Sequence, residues 1–389
     1  MSPRTFPRDT TAEILLLLPV KSLVRFKLVS SSWWSLISDP FFRRTHFNRA
    51  IQNPELCSQK ALLSTSSRFM FFDPEESFEV DGNSVVDLRF PEETRHPHLR
   101  IVGSCNGLVC LVSSRSRDFF LWNPSTGDCN ELPDACSPQG NRYAYGFGYD
   151  SFSDDYKVVL VTDYTYVKRL YLEPLPQFQK KVAIFSLKKN SWKIIREINE
   201  AVHNLCRNSF EPFPGSTFLN GGIHWRTRSI RDRNYNEVIT AFDLAEEIFY
   251  LVPTPPHSHY LKYFNSGLGV LGGCLCLIYA CFSDPYPFEL WVMKEYGVEA
   301  SWTKLCRLLN PDDTFLYGGH HLSVSHKVFY EPLCMCTSKD NAFILIRSTK
   351  EVIRFNERGE VLEKVGICDD SDKCEGIAFV ESIASVNHP

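Results

Sequence analysis

The sequence carries no G-x-x-x-x-G-K-[ST] phosphate loop and no G-x-S-x-G nucleophile elbow. Two common signatures of nucleotide-driven and serine-hydrolase chemistry are therefore missing. It also has no excess of positive charge: 42 Lys and Arg stand against 46 Asp and Glu, net −4 at pH 7. Nucleic acid is not expected as the main partner. Cysteine is thinly spread, 14 in 389 residues, unlike a secreted disulfide scaffold. The start, MSPRTFPRDT, leads into no apolar core of signal-peptide length, and with reduced thiols a cytoplasmic or nuclear setting is expected. Only one stretch invites a membrane reading, the charge-free run between Lys262 and Asp284. Asn265, Ser266 and the glycines at 267, 269, 272 and 273 interrupt it, and its apolar part is short for a bilayer. Buried strands are expected there, and no membrane association.

What is present is globular composition, 43 % hydrophobic and 23 % charged, at a length that suits one small and one large domain. Residues 1–50 hold eight Lys and Arg against three acids, so this end is +5 and the remainder −9. Such asymmetry suggests a basic module facing an acidic partner, or simply a solvated basic face.

The basic end reads as short helices. Thr10 and Glu13 fit a capping box; the run Ile14 to Leu18 follows, and Pro19 closes it and suits the first turn of a second helix reaching about Val29. On that helix Val20, Leu23, Val24, Phe26 and Leu28 cover an arc of roughly 200°, wider than one neighbour requires. Ser30-Ser31-Ser32 offers caps for a third helix with Trp33 and Trp34, and Asp39-Pro40 opens a fourth with Phe41 and Phe42. A unit of this size has more large apolar side chains than its own interior absorbs. They dock either onto the rest of this chain or onto another protein.

Here the residues match a family. Phe6-Pro7, Glu13-Ile14-Leu15, Leu18-Pro19-Val20-Lys21-Ser22-Leu23, Arg25-Phe26-Lys27, Val29-Ser30, Ser32-Trp33 and Ser35-Leu36-Ile37-Ser38-Asp39-Pro40 together resemble the plant F-box pattern. Departures are Phe6 for the usual Leu, Leu28 for the usual Cys and Ser31 for a basic residue. The resemblance implies binding to a Skp-type adaptor, and through it to the cullin and RING subunits of an SCF-type ubiquitin ligase. By position, the adaptor contacts it implies are Phe6, Pro7, Ile14, Leu15, Pro19, Leu23, Leu28 and Val29, with Trp33 nearer the module's own core.

Beyond residue 100 the texture changes to short β-rich runs divided by turns. Gly pairs recur at 221–222, 272–273 and 318–319, near the kelch-type period of about 50 residues. Phe185-x-Leu187-x4-Trp192 and Phe242-x-Leu244-x4-Phe249 share a strand, tight turn, strand form, and Leu121-Trp122-Asn123-Pro124-Ser125-Thr126-Gly127 is a third strand-turn. Gly107, Gly222 and Gly273 each precede a short, near-continuous apolar strand, as expected of sheets buried on both faces. One such blade cannot stand alone, so several close into a ring. Ser104-Cys105-Asn106-Gly107-Leu108-Val109-Cys110, Gly146-Phe147-Gly148-Tyr149-Asp150 and Asp155-Tyr156-Lys157-Val158-Val159 are similar to the F-box-associated domain of plant F-box proteins. The expected fold is a small all-α F-box domain over residues 1–50 and an all-β, kelch-like propeller of six to eight degenerate blades over 51–389. The propeller is expected to capture a target protein whose identity the sequence does not give.

Sites for chemistry are sparse, and no catalytic residue, metal or cofactor is expected. Cys274-x-Cys276 and Cys334-x-Cys336 each put two sulfurs on one strand face, but zinc takes wider spacings and a second pair. Core packing is the expected role. His320-His321 and His257-x-His259 lack partners at metal-ligand spacing, and His224, between Ile223 and Trp225, reads as a hydrogen-bonded core residue. Asp154-Asp155 and Asp369-Asp370 look like solvated turns. Arg226, Arg228, Arg231 and Arg233 with Tyr235, Tyr260 and Lys262 form either an ordinary loop or a basic, aromatic rim for the target. The expected function is a non-catalytic substrate receptor; the alternatives are an F-box scaffold outside the ligase and a propeller enzyme.

Overall fold

Four short helices precede a ring of strands in a computed structural model, which describes residues 8–52, 59–65, 68–73, 85–91, 99–114, 116–135, 142–163, 180–195, 216–231, 234–256, 267–280, 288–308, 331–337, 342–347, 351–367 and 374–387. The helices are α1 (Arg8–Leu15), α2 (Val20–Phe26), α3 (Ser31–Ser38) and α4 (Pro40–Gln52). Their breaks fall where the turn chemistry places them. Pro19 precedes α2, the Trp33 amide donates to Ser30 Oγ at 3.2 Å, and the Phe42 amide donates to Asp39 Oδ1 at 3.1 Å, which satisfies donors that a helix start leaves free. The capping box at Thr10 does not form. Helix α1 begins at Arg8, so Glu13 lies beyond the first turn, out of reach of the helix start, and instead pairs with Arg49 of α4 at 2.9 Å.

The strands make six four-stranded antiparallel sheets among the described residues. The first contains β1 (Gln59–Ser64), β2 (Phe69–Phe72) and β3 (Val85–Leu88); the second β4 (Leu99–Cys105), β5 (Leu108–Ser113), β6 (Phe119–Trp122) and β7 (Cys129–Glu131); the third β8 (Arg142–Asp150), β9 (Asp155–Asp163), β10 (Lys180–Ser186) and β11 (Ser191–Ile195). The fourth is β12 (Ser216–Leu219), β13 (Gly222–Arg231), β14 (Asn234–Asp243) and β15 (Phe249–Val252); the fifth β16 (Gly267–Leu271), β17 (Cys274–Ala280), β18 (Phe288–Met293) and β19 (Trp302–Leu308); the sixth β20 (Glu331–Thr337), β21 (Ala342–Arg347), β22 (Glu351–Asn356) and β23 (Val361–Gly366). The last strand, β24 (Glu375–Val380), returns to pair with β1, Lys60 opposite Phe379. The first strands touch in the order β24, β4, β8, β12, β16, β20 and back to β24. This is a closed six-bladed β-propeller whose first blade takes its inner strand from the C-terminal end.

The core lies between blades rather than within one interior. Side chains alternate across a strand, and each alternation feeds a different interface. Leu108, Cys110 and Val112 of β5 pack with blade 3, whereas Val109 and Leu111 pack with blade 1. In the same way Cys276 and Ile278 of β17 face blade 6, and Leu275, Leu277 and Tyr279 face blade 4. Burial on both faces is why these strands lack polar alternation. Polar ties cross the same seams. Lys157 Nζ lies 2.8 Å from Asp150 Oδ2 and donates to the Leu244 carbonyl of blade 4 at 2.7 Å. Asp155 is buried, not solvated as expected, because its carboxylate accepts from Ser186 Oγ and the Lys188 amide within blade 3. The stretch around Gly272-Gly273 is the β16–β17 hairpin, as expected, and no described helix is long and apolar enough to cross a membrane. Gly318-Gly319 lies outside the described residues.

Hairpins between the first two strands of blades 2, 4 and 5 share one geometry, two residues at positive φ: Asn106 and Gly107, Asn220 and Gly221, Gly272 and Gly273. These left-handed pairs match the twist of the flanking strands. At Gly107 there is a second constraint. A Cβ there would meet Ser382 Oγ and come within 2.8 Å of the Val380 carbonyl oxygen, whereas at Gly221 nothing lies within 4 Å. Gly221→Ala is expected to cost about 1 kcal/mol, the left-handed backbone alone. Gly107→Ala should cost about 3 kcal/mol, because overpacking adds to it. Urea unfolding of the two variants measures the difference; equal costs would show that the C-terminal segment does not press on Gly107.

Candidate functional site

The helical module divides its apolar residues sharply. Leu15, Leu16, Val20, Leu23, Ile37 and Phe42 form a buried cluster, with Phe26 and Trp33 packed on it, their rings 5.2 Å apart. Two expected contact residues are thus interior ones: Leu15 is 1 % and Leu23 0 % exposed. Both point from their helices toward the module's centre, so neither offers a surface to a partner. Other expected residues do the opposite. Leu28 is 89 % exposed, Val29 and Ile14 are half or more exposed, and Pro19 is exposed. Leu28 and Val29 escape the core because α2 stops at Phe26; their amides donate to the Arg25 and Phe26 carbonyls in a turn that carries them off the helix face. Phe6 and Pro7 lie outside the described residues. Leu17, Trp34 and Phe41 are also exposed, Phe41 to 79 %. Sequence reasoning missed these three, since an apolar run does not reveal which members face outward. An open apolar surface of this size on so small a unit is the physical mark of an interface.

The module sits on the ring face that carries the turns between first and second and between third and fourth strands. Arg44 Nη1 lies 3.2 Å from Asp154 Oδ1 in the β8–β9 turn, and Asp128, beside β7, faces the half-buried cations Lys27 and Arg43. Burial depresses the pKa of both cations, and Asp128 opposes that shift. Three of the basic residues expected to meet an acidic partner therefore neutralise acidic turns of the same chain. Arg8, Lys21 and Arg25 remain exposed.

Connections alternate between faces in an antiparallel meander, so the tip of the β13–β14 hairpin lies on the opposite face. At ten residues per strand it outreaches β5 and β17, with six and seven. Arg228 (opposite Glu237), Arg231 and Tyr235 are on its outer half. Arg226 does not join an exposed rim: it is buried, 8 % exposed, where β13 is still sandwiched between blades. Tyr260, Arg233 and Lys262 lie outside the described residues, as do His257, His259, His320, His321, Asp369 and Asp370.

His224 is fully buried, as its apolar strand suggests. Its Nδ1–H donates to the Thr217 carbonyl at 3.1 Å, which leaves Nε2 to accept from the Tyr296 hydroxyl at 2.6 Å; Tyr250 Oη lies 2.7 Å from Tyr296 Oη. The chain of groups joins blade 4 to the turn after β18 in blade 5. Among the described cysteines, Cys110 and Cys276 are fully buried in the core, Cys274 is partly buried, and burial pushes the Cys129 and Cys306 thiols up to about 11, which makes them poor nucleophiles; the side chains of Cys334 and Cys336 lie outside the described residues. Among the described residues no group of three or more His, Cys, Asp or Glu is placed to hold a metal ion.

A six-bladed propeller bearing an N-terminal helical module with an uncovered apolar face is the class these observations define. Residues 60–386 match the F-box associated beta propeller domain, and the chain belongs to that family. F-box protein CPR1 of Arabidopsis thaliana is 32 % identical over 365 residues, covering 90 % of this chain and 81 % of its own. An F-box/kelch-repeat protein of the same plant is 30 % identical over 315 residues, 78 % of this chain and 79 % of that one. A third Arabidopsis F-box protein is 28 % identical over 381 residues, 94 % of this chain and 87 % of that one.

Burial lowers the pKa of His224 to about 4 from 6.5, because the charged ring loses its hydration, and the hydrogen bond to the Thr217 carbonyl opposes this only in part. Above pH 6.5 the imidazole is neutral in both folded and unfolded chains and its contribution is fully present. As pH falls from 6.5 to about 4 the unfolded chain takes up the proton first, and stability drops by up to about 1.4 kcal/mol per pH unit. Denaturant unfolding across this range should show the slope, and His224→Gln should flatten it. The buried His46, whose pKa burial also lowers, leaves a residual slope of the same sign. An unchanged slope in His224→Gln would refute the assignment.

Proposed function

We propose that this chain is the substrate-recognition subunit of an SCF-type cullin-RING ubiquitin ligase. The helices act as an F-box: they bind a Skp-type adaptor and, through it, the cullin and RING subunits. The observation that carries this reading is the set of large apolar side chains left uncovered on a short helical module next to an F-box associated propeller. The names of the relatives support it. Of the residues implied by the F-box resemblance, Ile14, Pro19, Leu28 and Val29 make the contact together with Phe6 and Pro7, while Leu15 and Leu23 hold the core that presents them.

The propeller receives the target protein on the face away from the helices, where the outer half of the β13–β14 hairpin carries Arg228, Arg231 and Tyr235 in its sequence. Arg and Tyr are favoured anchors at interfaces. Ubiquitin transfer belongs to the conjugating enzyme on the RING subunit. The receptor contributes proximity, raising the effective concentration of target lysines near the activated ubiquitin. The chain performs this work in the cytoplasm or nucleus.

Burying a large apolar side chain is worth about 1.5–3 kcal/mol. Leu28→Ala with Val29→Ala in the full chain removes two such side chains and is therefore expected to weaken binding of a purified Skp-type adaptor by about a hundredfold or more, with no change in melting temperature, since both residues are exposed. Leu23→Ala is expected to cost about 2–5 kcal/mol of stability instead. Calorimetric titration and thermal unfolding check both outcomes. Adaptor affinity that survives the double substitution, or a wild-type chain that binds no adaptor, would overturn the proposal.

A further inference from the structure

The seven residues after β24 touch both halves of the molecule. Ile383 is 2 % exposed and belongs to the helical cluster of Leu15, Leu16, Val20, Leu23, Ile37 and Phe42. Its neighbours face the ring. Ser382 Oγ donates to the Asn106 carbonyl at 2.8 Å, and Asn123 Nδ2 donates to the carbonyls of Ser382 at 3.1 Å and Ala384 at 2.8 Å. Val386 is buried in the core between blades 2 and 3. The Asn123 amide is fixed in this role, because its Oδ1 accepts from the Ser125 and Thr126 amides at 2.9 and 3.3 Å. Successive side chains of an extended segment point to opposite sides, so one strap faces blade 2 with Ser382 and Ala384 and the helices with Ile383.

We infer that this strap, Glu381–Asn387, is a structural part of the helical module, and that closure of the ring by β24 is what completes the module's core. A helical unit of about 45 residues buries too little to be robust alone. Its missing core residue arrives from the far end of the chain, on a segment whose position is set by the β24–β1 pairing. Helix order thereby depends on the strap that ring closure holds in place. Ile383 is a positioning residue: it contacts no expected partner, yet it holds the elements that carry Pro19, Leu28 and Val29. The inference rests on the packing and not on what the module binds.

Hydrogen exchange on the full chain tests it. Ile383→Ala is expected to speed amide exchange in α1, α2 and α3 by about tenfold or more, each tenfold being about 1.4 kcal/mol of local opening. Exchange in β9 and β13 should stay at the wild-type rate, and Ile383→Leu should restore most of the protection. Asn123→Ala, which frees the strap from the ring without touching a helix, should loosen the same helices. Ile353→Ala, in the core between blades 5 and 6, is the control and should leave them protected. Unchanged helical exchange in both Ile383→Ala and Asn123→Ala overturns the inference, as does loosening spread equally over helices and blades. Adaptor titration of the same variants separates the two claims. A wild-type chain that binds no adaptor refutes the receptor reading, while the exchange rates still decide the role of the strap.

Discussion

No sheet in this ring is finished until its neighbour is in place. Each second strand sends alternate side chains into two different interfaces, as Val109 and Leu111 do toward blade 1 and Leu108 and Cys110 toward blade 3. An unclosed ring would leave one such interface open to water, and at about 25 cal/mol per Å² the cost of a whole open face exceeds any single hydrogen bond. The chain therefore needs a device that brings its two ends together. Pairing of β24 with β1 is that device, and the ion pair of Arg100 with Glu375, Nε to Oε1 at 2.6 Å, ties the closing strand to blade 2. The helices, too small to settle alone, depend on the same closure.

That dependence clarifies which apolar residues of the module are structural. An amphipathic face wider than a half-turn can serve a core and a partner at once, and a helical wheel cannot say where the boundary runs. Leu23 and Leu28 lie on the same apolar arc in the sequence, yet one is sealed and the other almost bare. The deciding event is the end of α2 at Phe26, which turns Leu28 and Val29 away from the helix axis. The charge pattern divides in a similar way. Lys27, Arg43 and Arg44 face Asp128 and Asp154 on the ring, so the +5 of the first fifty residues serves in part to seat the module.

Local chemistry was the legible part of the chain. Glycines ahead of apolar strands marked tight turns, and Gly107 and Gly273 do end turns of two successive positive φ values, Asn106-Gly107 and Gly272-Gly273, while the third such turn is Asn220-Gly221 rather than Gly221-Gly222. Pro19, Ser30 and Asp39 mark the helix breaks. Near-continuous apolar strands announced blades buried on both sides. Long-range pairings left no comparable trace. Ile383 lies among Glu381, Ser382, Ala384 and Ser385, and nothing in its neighbourhood tells that it fills a core more than 340 residues away. Arg226 shares a strand face with Arg228 by alternation, but burial depends on where the blade ends, and that is set by adjacent sheets. The blade count was hidden for the same reason: the inner strand of the first blade lies at the opposite end of the sequence.

The two faces of the ring give the molecule its geometry. The second strands of the blades, six to ten residues long at about 3.3 Å each, hold the faces roughly 20–33 Å apart. For a receptor of the proposed kind this separation matters, because proximity helps only if both ends are held in a fixed relation. A flexible tether between helices and propeller would spread the target over many orientations and lower its effective concentration at any one of them. Here three contacts resist that spread: Arg44 with Asp154, the cations Lys27 and Arg43 facing Asp128, and Ile383 in the helical core. The first two are partly solvated and individually weak. The third is buried and apolar, and removing a buried Ile side chain costs about 2–5 kcal/mol. Orientation of the module on the ring is thus set chiefly by packing, with the charges selecting which turns it faces.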